Sequence, residues 1–335
     1  MRDDSSRVVL VTTAYLDPGG EVDRLLREAG FRTVFARPSD RRATERSLAA
    51  AVGDAGAAGI VAGTDPFTAE VIEASPALRV IARCGAGYDN VDVAAATRRG
   101  VAVTHTPGAN RQSVAEHVLG LMVSCARGIP QSVADVRAGG WSQPSGRELA
   151  GATLGVVGLG SIGRTVARLG LALGMRVVGH DPHLDTEFLD ETGVTALPLE
   201  GVLGEADFVT LHLALDASTR HLIDAAALRR MRPGAYLINT ARGGIVDEEA
   251  LADVIAAGEL AGAALDVTER EPLPADSRLR AFANVLVTGH IAGATAEARS
   301  RSSLAAARQV VDVLSGRAPG HLVDPGWAAA RVEVR

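Results

Sequence analysis

Gly158, Gly160 and Gly163 stand in the run TLGVVGLGSIGRTVARLG, residues 153–170, between an apolar β-branched stretch and a helical pattern. That GxGxxG spacing answers a specific need. The glycines permit a tight turn, let the main chain approach a pyrophosphate, and allow the helix to pack closely on the preceding strand. The next apolar run, MRVVGHD, ends in Asp181, 18 residues past Gly163. A carboxylate there accepts hydrogen bonds from a ribose diol and repels a 2′-phosphate, which favours NAD over NADP. The flanking His180 and His183 lack a third ligand, so no metal site is expected and both read as loop residues. Cys84 and Cys125 have neither CxxC nor metal spacing.

The elements that must position these residues form two series. Before the glycine run, VVLVTT, GIVAG, RVIAR and GVAVTH read as buried strands, separated by the helical patterns EVDRLLREAG, TAEVIEAS and NVDVAAATRRG. After it come LGVVG, MRVVGHD, DFVTLHL, AYLINT, GAALDV and NVLVTGH, a sheet of about six strands. The helix opening at Ser161 is expected to bury a stripe of Ile162, Val166, Leu169 and Leu173. Both series are βα repeats, so the fold class is α/β, with two doubly wound parallel sheets. A last helix, TAEARSRSSLAAARQVVDVLSG, is expected to return to the first sheet, which makes the first domain discontinuous: 1–105 plus 295–335, around an inserted 106–294. The last ten residues read as a loose tail.

At 335 residues, two domains are expected, and aromatic residues at 3% leave the cores to Ala, Val, Leu and Ile. A formal charge of −6 gives no footing for a nucleic-acid partner. No uninterrupted apolar run is long enough to span a bilayer, and the start MRDDSSRVVLVTT lacks the pattern of a secretory leader. A cytoplasmic location is expected, with no membrane partner.

Six blocks in order, CGAGYDNVD, TPGANRQSVAEH, the glycine run, INTARGGIVDEEAL, ALDVTEREPLP and GHIAGAT, resemble the D-isomer-specific 2-hydroxyacid dehydrogenase family, in its phosphoglycerate-dehydrogenase-like branch. The resemblance implies a Rossmann NAD domain inserted into a flavodoxin-like split substrate domain, with the active site in the cleft between them. It implies that His290 is the acid/base, Glu271 its carboxylate partner and Arg242 the substrate clamp; Glu269 is the rival carboxylate, but the family's Glu directly precedes Pro. It also implies cofactor contacts at Ser161, Ile162, Leu213, Thr240, Ala241, Arg242, Asp266, His290 and Gly293 beside Gly158, Gly160, Gly163 and Asp181, with Asp266 holding the nicotinamide amide. Ala86 and Gly87 would meet the substrate carboxylate, with Arg83 a second cation near Arg242's substrate or, equally, a surface charge.

The chain also departs from the branch. Ala62 and Gly63 stand where phosphoglycerate dehydrogenases place an Arg-Ser pair, Gly289 replaces a Pro before the histidine, and Ala214 replaces a Pro after LHL. D-3-phosphoglycerate therefore stays open as substrate beside hydroxypyruvate, glyoxylate or a phosphonate-type keto acid. A non-catalytic NAD(H)-sensing protein of corepressor type is the reading from another class. The short form is expected to lack a serine-sensing regulatory domain. Residues 111–141 are helical and apolar beyond one face, and a homodimer through them is expected.

Overall fold

A computed structural model describes residues 7–36 and 44–327. The chain divides into two compact units, one running to Asn110 and resuming at Ala296, the other Arg111–Thr295. The tail expected over the last ten residues lies, from 328 onward, outside the described residues.

In the first unit the strands are β1 (Val8–Val11), β2 (Arg32–Phe35), β3 (Gly59–Ala62), β4 (Val80–Arg83) and β5 (Ala102–Thr104), all parallel, in the order β2-β1-β3-β4-β5. This is the flavodoxin-like order of a doubly wound sheet. β1, β3, β4 and β5 are buried along their whole length, as apolar runs covered on both faces must be. The helices are α1 (Glu21–Glu28), α2 (Glu45–Ala55), α3 (Ala69–Glu73) and α4 (Val93–Arg98), and the closing helix α12 (Ala296–Leu314) belongs to this unit. Ala306, Ala307, Val310 and Val313 of α12 share one core with Val9, Val11, Val61, Val80 and Ala82. The return of the last helix to the first sheet is thus observed.

The second unit holds seven parallel strands: β6 (Thr153–Val157), β7 (Arg176–His180), β8 (Thr195–Ala196), β9 (Phe208–Leu211), β10 (Tyr236–Asn239), β11 (Gly262–Leu265) and β12 (Val285–Val287). Their order is β12-β11-β10-β9-β6-β7-β8, the Rossmann order extended by one strand. The helices are α5 (Arg111–Arg127), α6 (Ile129–Arg137), α7 (Ser161–Ala172), α8 (Thr186–Thr192), α9 (Leu199–Glu205), α10 (Ala225–Arg230) and α11 (Glu248–Ala256). The order reverses between β6 and β9, and at such a switch point the loops leaving the strands diverge and open a crevice.

The stripe expected on α7 packs on the core at Ile162, Val166 and Leu169 and is corrected at Leu173. The helix's fully buried residues are Gly163, Val166, Ala167 and Gly170, whereas Leu173 is exposed. The helix lies so close to the sheet that a Cβ on Gly170 would sit 2.6 Å from Leu154 Cδ2. Small residues face the strand, and the larger Ile162 and Leu169 are displaced to its flanks, half-buried.

Candidate active site

The glycine run folds as its spacing requires. Gly158 follows β6 at φ 96°, a left-handed conformation, and a Cβ there would meet the His212 carbonyl oxygen at 2.6 Å. Gly163 comes closer still: its Cβ would fall 1.9 Å from the Gly158 oxygen. Gly160 is the N-cap of α7 with no side chain capping it and open space around it. The amides of the first turn, including Ser161 and Ile162, are therefore presented outward. Asp181, at the end of β7, accepts from the Leu159 amide at 2.7 Å and the His183 amide at 2.8 Å, which fixes its carboxylate beside the turn. His180 lies against the Leu197 carbonyl at 3.1 Å, a loop-anchoring role. Thr240, after β10, keeps a buried hydroxyl that finds no hydrogen-bond partner among the described residues. Close main-chain approach, outward amides, a fixed carboxylate and an orphaned hydroxyl are what a dinucleotide requires, so the residues present fit NAD.

β10, β11 and β12 are neighbours in the sheet and run parallel, so the loops leaving their ends are neighbours too. Arg242 lies three residues past β10, Glu271 six past β11 and His290 three past β12. His290 Nδ1 faces Glu271 Oε2 at 2.9 Å, while Glu269 pairs instead with His221 at 3.2 Å. Burial pushes the Glu271 carboxyl up, but the hydrogen bond and charge of His290, the Thr268 amide and the Arg242 guanidinium outweigh it and hold the group below the usual glutamate range. The carboxylate is thus ionised near neutrality. Nδ1 of His290 is then assigned as the donor to that carboxylate. His290 has φ 56°, a left-handed conformation rare outside glycine, and strain of this kind persists only where the surroundings impose it. Gly293 lies in the same loop, half-buried.

Asp266 supplies that imposition. Only 1% exposed, it accepts from the Ile291 amide at 2.9 Å, the Ala292 amide at 2.7 Å and the Thr288 hydroxyl at 2.5 Å. Burial raises its carboxyl, and His117, Thr288 and the two amides pull it further in the other direction. Its carboxylate is therefore committed to the loop that carries His290. His117 of α5 approaches the same group, 3.6 Å from Asp266 Oδ1 and 3.3 Å from Thr288 Oγ1. Asn239 does similar work for Arg242, donating to its carbonyl at 2.8 Å and accepting the Ala241 amide at 3.0 Å. His117 and Asn239 had no role assigned from sequence, although both lie inside blocks that carry the family resemblance. Leu213, after β9, is half-buried beside Gly158, with Cδ2 3.0 Å from the Cβ that glycine lacks.

In the first unit, Arg83 is 5% exposed and donates to the carbonyls of Ala62 and Gly63. Its reading as a surface charge is corrected: the end of β4 is covered, and the guanidinium is turned onto main-chain oxygens. Ala86 and Gly87 lie in a half-buried loop anchored by the Thr106 amide on Gly85 O at 2.9 Å and by His105 Nδ1 against Ala86 O at 2.7 Å.

The model of the D-isomer specific 2-hydroxyacid dehydrogenase NAD binding domain matches residues 119–292, more than half of the chain. The chain belongs to the D-2-hydroxyacid dehydrogenase family. It is an NAD-dependent oxidoreductase of that family, with NAD as cofactor. It is 44% identical over 222 residues to a glyoxylate reductase of Korarchaeum cryptofilum, a match covering 64% of this chain and 67% of that one. Against a D-3-phosphoglycerate dehydrogenase of Synechocystis it is 43% identical over 251 residues, 74% of this chain but only 45% of that longer protein. The solved structure of the TT0316 protein from Thermus thermophilus superposes with a TM-score of 0.86 at 38% identity, covering 95% of this chain and all of that one. Among the described residues no helix is long and apolar enough to cross a membrane.

Proposed function

We propose that this dehydrogenase interconverts a small, unphosphorylated D-2-hydroxy acid and its 2-keto acid, of the size of glyoxylate or hydroxypyruvate. NAD, held at the glycine turn and Asp181, would supply the hydride acceptor for C2 of the hydroxy acid or, in reduced form, the hydride donor for the keto acid. His290 gives its Nε2 proton to the keto oxygen in reduction and takes it back in oxidation. Glu271 holds the ring by Nδ1 and stabilises the imidazolium. Arg242 binds the substrate carboxylate and polarises the neighbouring carbonyl. Asp266 keeps the His290 loop in place, and Thr240 and the α7 amides hold the cofactor. The observation that carries this reading is the 2.9 Å His290–Glu271 pair on loops adjoining that of Arg242.

Within the first unit, the amides of Ala86 and Gly87 are proposed to bind carboxylate, as a run of small residues with outward N–H groups does. The residues following β3 favour a substrate without phosphate. They are Gly63, Thr64 and Asp65, and the Asp65 carboxylate lies 3.2 Å from the Cβ position of Gly63. None of the three carries a cation of its own to hold a phosphate, and the Arg83 guanidinium beside them is turned onto the Ala62 and Gly63 carbonyls. The test is NADH oxidation with glyoxylate, hydroxypyruvate and 3-phosphohydroxypyruvate, repeated with NADPH. Turnover of the first two with NADH supports the reading, and preference for the phosphorylated acid overturns its substrate part. Tight NADH binding with no turnover of any 2-keto acid favours a sensor.

The assembly proposed is a homodimer through α6. Ile129, Val133 and Val136 are 42–48% exposed on that helix and Trp141 beyond it is 80% exposed, an apolar stripe that a second copy would cover.

A further inference from the structure

Two carboxylates with no part in proton transfer join the loop of Arg242 to the loop of Glu271. The Glu248 amide donates to Glu269 Oε1 at 3.2 Å, and the Glu269 amide donates to Glu248 Oε1 at 2.6 Å. The second oxygen of Glu269 meets His221 Nε2 at 3.2 Å. His221 takes a left-handed φ of 49° and donates its own amide to the Gly244 carbonyl at 2.8 Å, so it grips both loops. Between them, Gly243 lies flat on the opposing main chain: a Cβ there would be 1.9 Å from the Thr268 carbonyl carbon. Gly243 adjoins Arg242, and the Thr268 amide donates to Glu271 Oε1 at 3.3 Å.

The arrangement is costly. Burial raises the Glu248 carboxyl; the Glu269 amide pulls it down and the charges of Glu269, Glu249 and Glu271 push it up, and the net direction is upward. Negative groups gathered beside a carboxylate that must stay ionised work against the chemistry unless they hold something in place.

We propose that Glu248, Glu269 and His221 are positioning residues, a reciprocal clasp that sets the spacing between Arg242 and the Glu271–His290 pair. This rests on the reading of those three as the reacting groups. The clasp acts through main-chain amides, so an uncharged oxygen at the same place should serve nearly as well. Glu269→Gln keeps an acceptor for the Glu248 amide, whereas Glu269→Ala leaves that amide and His221 without one.

The experiment compares both variants with the parent for kcat on the best keto acid, for NADH Kd, and for hydrogen exchange at the amides of 243–248 and 268–271. Expected for Glu269→Ala is a kcat loss of about tenfold to a hundredfold, the scale of an ångström-sized misplacement, with NADH Kd unchanged and faster exchange in both segments. Glu269→Gln should recover most of the kcat and the slow exchange. A kcat for Glu269→Ala equal to the parent's overturns the proposal, as does Glu269→Gln failing alongside it. If the parent turns over no keto acid, the functional reading fails separately, and unchanged exchange in Glu269→Ala still overturns the clasp.

Discussion

Substituting alanine at two glycines only three residues apart should have opposite consequences. In Gly163→Ala the new Cβ would sit 1.9 Å from the Gly158 oxygen and 3.0 Å from its carbonyl carbon. Carbon and oxygen ordinarily stay about 3.2 Å apart, so α7 must retreat from β6 by roughly 1.3 Å at its first turn, against main chain that cannot rotate away. Overpacking of that kind costs about 1–3 kcal/mol, and the upper part of the range is expected because backbone is the obstacle. In Gly160→Ala nothing lies within 4 Å of the new Cβ, and the native φ of −70° suits any residue. Stability should therefore stay within about 0.5 kcal/mol of the parent. On the proposed cofactor site the methyl group would intrude where the pyrophosphate approaches the turn, and NADH affinity should fall tenfold or more, about 1.4 kcal/mol. Thermal unfolding and calorimetric NADH titration on both variants separate the two effects. Gly160→Ala binding NADH as the parent does, or Gly163→Ala unfolding at the parent's temperature, would refute the assignment of distinct steric duties to the two glycines.

Other outcomes follow from the same geometry. Burial pushes the His212 pKa down from 6.5 to about 3, so its share of stability is intact above pH 6.5 and is lost as pH falls toward 3. With the ring only partly covered, that share is about 2–4 kcal/mol, and urea titrations of His212→Gln should show a shallower pH dependence across that window. Burial raises both thiols, Cys125 to about 12 and Cys84 in the same direction, so a thiol reagent at pH 8 should label the unfolded chain far faster than the native one. Sedimentation of Val133→Glu should give a monomer where the parent gives a dimer; a parent that sediments as a monomer ends the dimer proposal. Asp266→Asn should lower kcat at least tenfold, because one carboxylate oxygen becomes an NH2 that faces an amide donor of the His290 loop and leaves that buried N–H without its acceptor, and unchanged kcat would remove its role in holding that loop.

Most of the fold is legible in the sequence where burial is complete. VVLV, GIVA, VIAR and FVTL are fully covered strands and read as unbroken apolar runs. β2, RTVF, went unread because it is a half-exposed edge strand without an apolar run, and β8 is only two residues long. α2 is rich in Ala and Gly, and its amphipathic signal is correspondingly faint. On α7 the face is legible at Ile162, Val166 and Leu169, which pack on one core, whereas Leu173 is exposed just past the helix and the closest approach to the sheet is reserved for Gly163, Ala167 and Gly170. At the candidate site, residue types gave the glycine turn and Asp181, while the resemblance gave His290, Glu271 and Arg242. Links such as His117 to Thr288, 171 residues apart, depend on where loops return and leave no local pattern. The Glu248–Glu269 clasp was hidden for the same reason.

The central claim is that His290, oriented by Glu271, moves the proton for an NAD-dependent reduction. Its most direct measurement is steady-state reduction of glyoxylate and hydroxypyruvate by His290→Ala, with NADH binding titrated on the same preparation. The account predicts turnover reduced by about 10²–10⁴-fold, the usual worth of a positioned acid/base, and NADH Kd within about twofold of the parent, less than 0.5 kcal/mol. Turnover near the parent's level, or NADH binding lost together with activity, would contradict it.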